Sequence, residues 1–272
     1  MLFKLTDPPK NMLSYKTSER RERAFLEYVP SNEIADALSH LNPNDESDKN
    51  DIRILNIMLK WKTTKRIYRQ KYNQGRLYPR DKAGYILLSK AVRKPLYSKY
   101  YNEIDIINCH YAIIVYLMKK NGFKCDSCEL YLKQRDTCLA ETMATLGCDK
   151  NEAKRHFLAV LYGEAAKVKL TEDIRREVVP FRMHCYKLAD CYARGTTVLS
   201  YVLQNNEVKF VCDCMDYLKS YAKRQWNESL DFVYAYDGFL CTKTPNIASV
   251  PKILSEFLRK MYDIEMEFKV SF

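Results

Sequence analysis

The sequence predicts an α+β fold in which many helices surround a small antiparallel sheet. Most of the chain places apolar residues at helical spacing, interrupted by short polar breakers. A run of isoleucines around an acid, Glu103 to Ile107, is typical of a short buried strand. Alternating residues on both sides of Asp237-Gly238, from Phe232 to Thr242, form the strongest hairpin signal in the chain.

The first fifty residues are expected to form an N-terminal helical segment. Residues 18–28 read as a charged amphipathic helix. Ser31 is a plausible cap for a helix from Asn32 to Leu41. The polar stretch from Asn42 to Asn50 breaks this pattern and is the best candidate linker.

Residues 51–100 are expected to continue with a helix. Helical spacing runs from Ile52 to about Gln74, and Gly75 to Pro79 breaks it. The stretch from Tyr85 to Val92 fits either a helix or an extended segment.

The rest of the chain predicts the sheet and most of its helices. Beyond the strand and the hairpin, the expected helices are Ala112 to Lys120 with Gly122 as its stop, Leu130 to Leu146, Asn151 to Leu161, Leu170 to Asn205 with an interruption at Arg194 to Thr197, Met215 to Trp226 and Pro251 to Tyr262, followed by a last strand from Glu265 to Phe272.

The charge of the chain is concentrated in one stretch. The 45 Lys and Arg residues exceed the 34 Asp and Glu residues, for a net charge of +11. Fourteen of these cations lie between Ile52 and Tyr100, against a single acid, Asp81. Interleaved aromatic residues favour a nucleic-acid groove over a merely solvated basic face, because aromatic rings stack on bases while cations meet phosphates. The aromatic residues are Trp61, Tyr68, Tyr72 and Tyr78.

Ten cysteines without a signal peptide indicate an intracellular, reducing compartment and a protein that is not secreted. Cys125 with Cys128, and Cys212 with Cys214, resemble half-sites for zinc. Their wide separation and the lack of a nearby His favour buried core cysteines instead. No apolar run is long enough to cross a membrane, so no membrane partner is expected.

Two acids stand where metal-assisted phosphoryl transfer would need them. Such a reaction requires positioning and charge neutralisation, which two divalent ions can supply. Asp105 in the strand and Asp237 in the hairpin are suitable Mg²⁺ ligands if their strands are neighbours, and Ile106 can add a backbone carbonyl. Mn²⁺ is an alternative ion. An Asp-Gly pair by itself is most often only a turn.

A basic helix lies between the two acids in sequence. Lys150, Lys154, Leu158 and Tyr162 are spaced by four and therefore share one helix face. Cations at one end of this face can bind a triphosphate, and the Leu158–Tyr162 end can cover a base. A solvated lysine face with a core-facing Leu explains the same spacing. The ordered combination of motifs favours nucleotidyl transfer.

Four segments in this order resemble the catalytic core of family A DNA polymerases. The chain is most similar to the transposon- and virus-encoded branch, which is related to single-subunit phage-type RNA polymerases. The matching segments are Gln74 to Leu77 for the Thr-Gly-Arg-Leu segment, Asp105 to His110 for motif A, Lys150 to Gly163 for motif B and Tyr236 to Gly238 for motif C, with Arg135 to Thr142 resembling the segment before motif B.

The resemblance implies a polymerase palm with a small antiparallel sheet, helical fingers and a reduced N-terminal helical thumb-like element. The expected domains are residues 1–50 as a helical segment, 51–100 as a basic thumb-like and template-binding region, and 101–272 as palm and fingers, with the fingers at about 125–195. The implied roles are catalysis by Asp105, Asp237 and Lys154, nucleotide binding by Lys150, Leu158, Tyr162, His110 and Asn108, primer-template binding by Arg76, Arg93 and Lys94, and metal binding by Asp105, Asp237 and Ile106.

Three positions depart from the family pattern. His110 stands where motif A has a Glu that helps to exclude the ribose 2′ hydroxyl, and Gly238 replaces the Glu of motif C. Leu158 replaces a Phe that stacks on the base, although Phe157 is adjacent. His110 can fill the space under the sugar, or it can donate a hydrogen bond to a ribose.

The expected function is primer extension by a DNA polymerase that lacks a proofreading exonuclease, because only about 70 residues precede the matching segments. Its partners would be a DNA primer-template and nucleoside triphosphates, with a helicase or primase as a further partner. Salt-sensitive binding of the primer-template and low processivity are expected. A single-subunit RNA polymerase or primase, and a nucleic-acid-binding protein with a decayed catalytic core, remain alternatives.

Overall fold

A computed structural model describes residue 12 and residues 21–61, 65–71, 74–189 and 197–271. In chain order its elements are β1 (Glu22–Leu26), α1 (Ser31–Ser39), α2 (Glu46–Trp61), β2 (Lys65–Lys71), β3 (Gln74–Pro79), α3 (Lys90–Tyr97), β4 (Tyr101–Ile106), α4 (Cys109–Lys120), α5 (Asp126–Lys133), α6 (Arg135–Leu146), α7 (Lys150–Leu161), α8 (Lys169–Ala189), α9 (Thr197–Tyr221), β5 (Phe232–Tyr234), β6 (Gly238–Thr242), α10 (Val250–Tyr262) and β7 (Phe268–Ser271).

The described residues form two compact units. A helical unit comprises Met12 and the described part of Asn108–Asn206. A mixed unit comprises the described parts of Ser18–Ile107 and Glu207–Phe272. The chain passes between the units after β4 and again within α9.

A sheet in the order β1-β2-β3 forms one part of the mixed unit. Both strand pairs are antiparallel, and the side chains alternate between a buried and an outer face. Phe25 and Tyr68 lie on the buried face and meet edge to face, with ring centroids 5.2 Å apart. Ile67 and Tyr78 lie on the outer face and are exposed.

The buried carboxylate of Glu27 ties β1 to the neighbouring segments. It accepts hydrogen bonds from the Tyr68 hydroxyl at 2.9 Å, from the Tyr85 backbone N–H at 2.7 Å and from the Tyr97 hydroxyl. The guanidinium of Arg66, also buried, lies 3.5 Å away. Burial raises the pKa of Glu27, and Arg66 and the hydrogen bonds oppose that rise. A charged group this deep is stable only because it has these partners.

A second antiparallel sheet in the order β5-β6-β4-β7 forms the other part of the mixed unit. Strand β4 lies inside this sheet, between β6 and β7. Its register places Asp105 opposite Gly238 on one side and Lys269 on the other. Helix α10 packs against β7 and buries Leu254 and Leu258. The backbone of Asp105 is therefore paired with a strand on each side.

The helical unit is built around α4. Every residue of α4 from Cys109 to Met118 is buried, which explains why this helix is apolar on all sides. Helix α7 begins with a capping box, in which Asp149 accepts from the Glu152 backbone N–H at 2.8 Å and Glu152 accepts from Asp149. The Tyr111 hydroxyl donates to the Phe157 carbonyl at 2.8 Å and fixes α7 against α4.

Two expectations for the first hundred residues are wrong. The N-terminal segment is not wholly helical, because β1 occupies residues 22–26 and pairs with β2. The helix expected from Ile52 to Gln74 begins earlier, at Glu46, and ends at Trp61, where the strands β2 and β3 follow. Residues 51–100, which were expected to be thumb-like and helical, therefore include the antiparallel strands β2 and β3. The expected linker shrinks to the residues before Glu46. Residues 18–20 and Tyr72 lie outside the described residues.

Most of the remaining elements follow the sequence-based expectations, but the break expected between Asn205 and Met215 is wrong, because α9 runs without interruption from Thr197 to Tyr221. The undecided stretch after Tyr85 is a short 3-10 turn, Tyr85–Leu87, followed by α3 with Ser89 as its N-cap. The expected helix from Leu130 to Leu146 is two helices, α5 and α6. The interruption expected at Arg194 falls outside the described residues. No helix of the described segments is both long and apolar enough to span a bilayer.

Candidate functional site

Asp105 projects from the strand β4, and its neighbours on both sides are defined by the sheet. Lys269 lies directly opposite on β7, and its Nζ is 3.2 Å from Asp105 Oδ2. Glu103, two residues earlier, points to the same face, because side chains on a strand alternate. Glu103 accepts from the Tyr85 hydroxyl at 2.6 Å and from the Ser271 hydroxyl at 2.9 Å. Asp105 thus shares its face with a second acid and a lysine.

Asp237 lies at the tip of the β5–β6 hairpin, beside Asp105. The register pairs Asp105 with Gly238, the residue after Asp237. The Asp237 carbonyl accepts a hydrogen bond from the Ile106 backbone N–H at 2.9 Å, which ties the hairpin tip to β4. The expectation that the two acidic strands are neighbours is therefore confirmed. The metal-binding role of the Ile106 carbonyl stays a prediction.

Gly238 is needed because there is no room for a side chain. A Cβ at this position would lie 2.3 Å from the Ile104 carbonyl oxygen and 2.9 Å from Asp105 Oδ1. The residue with a left-handed backbone in this turn is instead Tyr236, with φ of 60°. The turn was expected from Asp-Gly, yet its positive φ falls one residue before that pair.

Burial and the neighbouring negative charges raise the pKa values of both carboxyl groups. Loss of solvation raises the pKa of Asp237 to about 6, with further contributions from the negative charges of Glu207 and Asp105. Loss of solvation and the charge of Glu103 raise the pKa of Asp105, while Lys269 lowers it. Two neighbouring carboxylates that repel each other in this way are the kind of donor set that a divalent cation neutralises.

The zinc half-sites considered from the sequence are not joined into a metal cluster in the described residues. No group of three or more His, Cys, Asp or Glu side chains is placed there to hold a metal ion. Cys125 and Cys128 are buried free thiols near the start of α5, with Cys128 among the core residues. Loss of solvation raises the pKa of Cys128, which disfavours the thiolate that zinc requires. The structure therefore favours buried core cysteines over zinc ligands at these two positions.

Arg76 on β3 is held beside the hairpin tip by a residue that the sequence analysis missed. Its guanidinium makes two hydrogen bonds to the buried carboxylate of Glu207, at 2.7 and 2.8 Å. It also lies over the ring of Tyr236, 4.7 Å from the centroid. Glu207 lies in α9, and no sequence motif surrounds it. The only sign of its burial in the sequence is that it is an acid within an apolar stretch.

The other two proposed primer-template residues lie on α3. Arg93 is half-buried over the ring of Tyr85, 4.9 Å from its centroid, and its charge lowers the pKa of Asp105. Lys94 is exposed on the same helix. The mixed unit therefore brings the two Asp residues together with Arg76 and Arg93 nearby.

The lysine face of α7 belongs to the helical unit. Lys150 forms an exposed ion pair with Asp136, with Nζ 3.1 Å from Oδ1. This charge lowers the pKa of Asp136. Leu158 is 41% exposed, whereas Phe157 is fully buried and stacks on Tyr131 with ring centroids 4.2 Å apart. Phe157 therefore cannot replace the family's base-stacking Phe, and Leu158 is the accessible apolar side chain.

His110 and Tyr162 contact each other within the helical unit. The Tyr162 hydroxyl is hydrogen-bonded to Nδ1 of His110, which is buried at the start of α4. Asn108 precedes α4 with a left-handed backbone, φ 52°, and its carbonyl accepts from the Ala112 N–H at 3.0 Å. Lys154 lies between Lys150 and Leu158 on α7. The five expected nucleotide-binding residues, together with Lys154, thus all belong to this unit.

Comparison with known proteins identifies the fold but no family. Neither a protein-family model nor a curated protein matches the chain. Among solved structures, the chain resembles the POL domain of Pol1 from M. smegmatis, solved in complex with a DNA primer-template and dNTP. The TM-score is 0.54 at 10% identity, over 80% of this chain and 49% of that chain. The chain therefore spans about half the length of that protein, and the likeness shows a polymerase-like, mixed α and β fold.

Proposed function

We propose that the chain is a template-directed nucleotidyltransferase, and specifically a DNA polymerase that extends a primer and lacks a proofreading exonuclease. The observation that carries this proposal is the pairing of Asp105 with the Asp237 hairpin in a polymerase-like fold. The solved neighbour holds a DNA primer-template and dNTP, and we propose the same partners here. We keep the expected palm, fingers and thumb-like regions, and the transposon- and virus-encoded branch, as part of the proposal.

The residues around the acid pair fit divalent ions. Asp105 and Asp237 would hold two Mg²⁺ ions, with the Ile106 carbonyl as a further ligand and Mn²⁺ as an alternative ion. When bound, these ions would stabilise the attacking 3′ oxygen and the leaving pyrophosphate. Asp105 carries an ion pair with Lys269, whose side chain is more than half exposed and can swing aside. The fit rests on the adjacency of the two acids, which the β4–β6 register sets, and on the charge of Asp105, which helps to raise the pKa of Asp237.

We assign the triphosphate to the lysines of α7. Lys154 and Lys150 would bind the phosphates, and the ion pair of Lys150 with Asp136 is weak because both side chains are exposed. Leu158 would contact the base, since it is exposed. Tyr162 and His110 would border the sugar, held in place by their mutual hydrogen bond, with Asn108 before them.

We assign primer-template contacts to Arg76, Arg93 and Lys94. The Arg76 guanidinium is fixed by Glu207 and by the ring of Tyr236, so its orientation is set before DNA binds. Such preorganisation reduces the entropy that binding must overcome. A helicase or primase remains a proposed further partner.

The test is primer extension with purified protein, Mg²⁺ and a labelled primer-template. We expect Asp105→Asn and Asp237→Asn each to reduce extension at least about 100-fold, because metal-ion charge stabilisation contributes several kcal/mol and 1.36 kcal/mol is tenfold in rate. Asp231→Asn is the matched control, since Asp231 lies just before the same hairpin and has no assigned role. DNA affinity should be unchanged in all three variants.

The nucleotide used decides between the remaining functions. Extension with dNTPs supports the DNA polymerase, whereas synthesis from rNTPs alone on single-stranded template supports an RNA polymerase or primase. DNA binding without incorporation in either Mg²⁺ or Mn²⁺ would support the decayed core. Near wild-type extension by either Asp variant would remove that residue from the metal site.

A further inference from the structure

The outer face of the β1-β2-β3 sheet is an exposed surface whose β3 edge lies beside the Asp237 hairpin. Its strand β2 presents Lys65, Ile67, Arg69 and Lys71 outwards, because alternate residues share a face. Strand β3 presents Tyr78 outwards, directly opposite Arg69. A strand face so rich in cations is unsuited to a protein core.

Large apolar side chains are exposed on this same face. Trp61, the last residue of α2, is 61% exposed, Tyr78 is 43% exposed and Ile67 is 37% exposed. Single exposed apolar residues are ordinary, but a group of them is a signal of binding. Trp61, Lys65, Ile67 and Arg80 line a common cleft of about 350 Å³.

The charge of this face is strongly positive. The cleft also includes Arg66 and Asp81, but these two side chains are paired with each other. Arg80 lies opposite Ile67, to whose carbonyl its backbone N–H donates at 2.8 Å. Glu22 on β1 is an acid on the same face, opposite Arg69. The cations still predominate, so the face is complementary to a polyanion.

We propose that this outer face binds a segment of single-stranded DNA. Exposed aromatic rings can stack only on bases that are not already stacked within a helix. A single strand offers such bases and a duplex does not. The cations beside the rings would meet the phosphates. The choice of DNA over RNA rests on the proposed function, whereas the single-stranded character rests on the surface itself.

The position of Tyr78 links this surface to the candidate carboxylates. Its ring centroid lies 6.1 Å from that of Tyr236, the residue before Asp237. A DNA strand that contacts both Tyr78 and Trp61 would therefore run along β2, away from the hairpin tip. This is the course expected for an unpaired template segment.

Fluorescence anisotropy of a labelled oligo(dT) tests the proposal, in EDTA and without nucleotide so that catalysis plays no part. We expect Trp61→Ala to weaken binding by at least about fivefold, the lower end of one base–aromatic stack. Trp61→Phe should restore most of the affinity, because any aromatic ring can stack. Leu188→Ala is the matched control, since Leu188 is 55% exposed but lies in the helical unit. Circular dichroism checks that each variant is folded.

The salt dependence provides a second readout. We expect Arg80→Ala to reduce the slope of log K against log salt by about 0.7, the value for one phosphate contact on a single strand. Lys252→Ala, which removes an exposed lysine from α10, should leave the slope unchanged.

Three results would overturn the inference: equal affinities for Trp61→Ala and Leu188→Ala, Trp61-dependent binding of duplex as tight as of oligo(dT), or a Trp61-dependent preference for oligo(U). Primer extension by the same samples separates this inference from the proposed function. If the protein extends a primer but Trp61→Ala does not change oligo(dT) binding, the proposed polymerase function stands and the single-strand surface does not. Trp61-dependent binding without extension would leave only the single-strand surface.

Discussion

Gly238 shows how a single residue can be predicted for the wrong reason. The Asp-Gly pair indicated a hairpin, and a hairpin is present, but the usual cause is a glycine with positive φ. Here the positive φ belongs to Tyr236, and Gly238 is required by the nearness of Ile104 and Asp105. A sequence can reveal a turn, but it cannot reveal which backbone atom lies across from it.

We expect Gly238→Ala to reduce primer extension more than its loss of stability explains. The new methyl group must displace the Ile104 backbone or Asp105, at a cost of about 1–3 kcal/mol. Urea denaturation and primer extension measure the two effects.

Gly122→Ala is the control for that substitution. Gly122 has φ of 73° with no atom near its Cβ, so an alanine there causes backbone strain without crowding. It should lower stability and leave the extension rate of the folded protein unchanged. Equal losses of extension in both variants would show that Gly238 does not position Asp105.

Helix α7 has one feature that its sequence predicts and one that only its packing reveals. Its shared face was predictable from the spacing of Lys150, Lys154 and Leu158. The choice between Phe157 and Leu158 as a base contact was not, because it depends on Tyr131 and Tyr111 packing against the other side of the helix.

We expect Leu158→Ala to impair nucleotide binding and Phe157→Ala to impair stability. Removal of the exposed Leu158 should raise the KM for dNTP several-fold and change stability by less than about 0.5 kcal/mol. Removal of the buried Phe157 should cost about 3–5 kcal/mol of stability. Urea denaturation and dNTP titration distinguish these outcomes. An unchanged KM for Leu158→Ala would exclude it from the nucleotide site.

Strand β2 explains why the basic region was mistaken for a helix. Its buried positions hold Arg66, Tyr68 and Gln70, while Ile67 is exposed, so apolarity does not mark the buried face. Arg66 can be buried only because Glu27 and Asp81 neutralise it. Glu27 and Asp81 are distant in sequence from each other, so no local pattern could have revealed this arrangement.

At the scale of the whole molecule, the α+β class, the neighbouring acidic strands and the polymerase-like fold were predictable, since they depend on patterns along the chain. The positioning groups Glu207 and Lys269 were not, because both act across elements that are far apart in sequence. The domain boundaries expected at 51 and 101 stay predictions, and the compact units divide the chain at other positions.

The raised pKa of Asp237 also predicts how pH affects the stability of the folded chain. A carboxyl whose folded pKa exceeds its unfolded value favours folding when it is protonated, and this contribution is lost as pH rises through about 6. In EDTA at pH 8 we therefore expect Asp237→Asn to raise Tm by about 2 °C or more. Near pH 3, below both pKa values, the two proteins should unfold alike. Thermal unfolding at both pH values is the measurement, and a lower Tm for the variant at pH 8 would contradict the raised pKa of Asp237.

The separation of β4 from β6 along the chain has a consequence for biosynthesis. Asp105 and Gly238 pair across more than a hundred intervening residues. At roughly 5–20 residues per second, the ribosome needs on the order of ten seconds to add them. Throughout that interval β4 has neither of its two partner strands, β6 and β7, and its unpaired backbone is open to other contacts. The first acid is therefore synthesised long before the second can join it, and the acidic pair can be assembled only after β6 has been made.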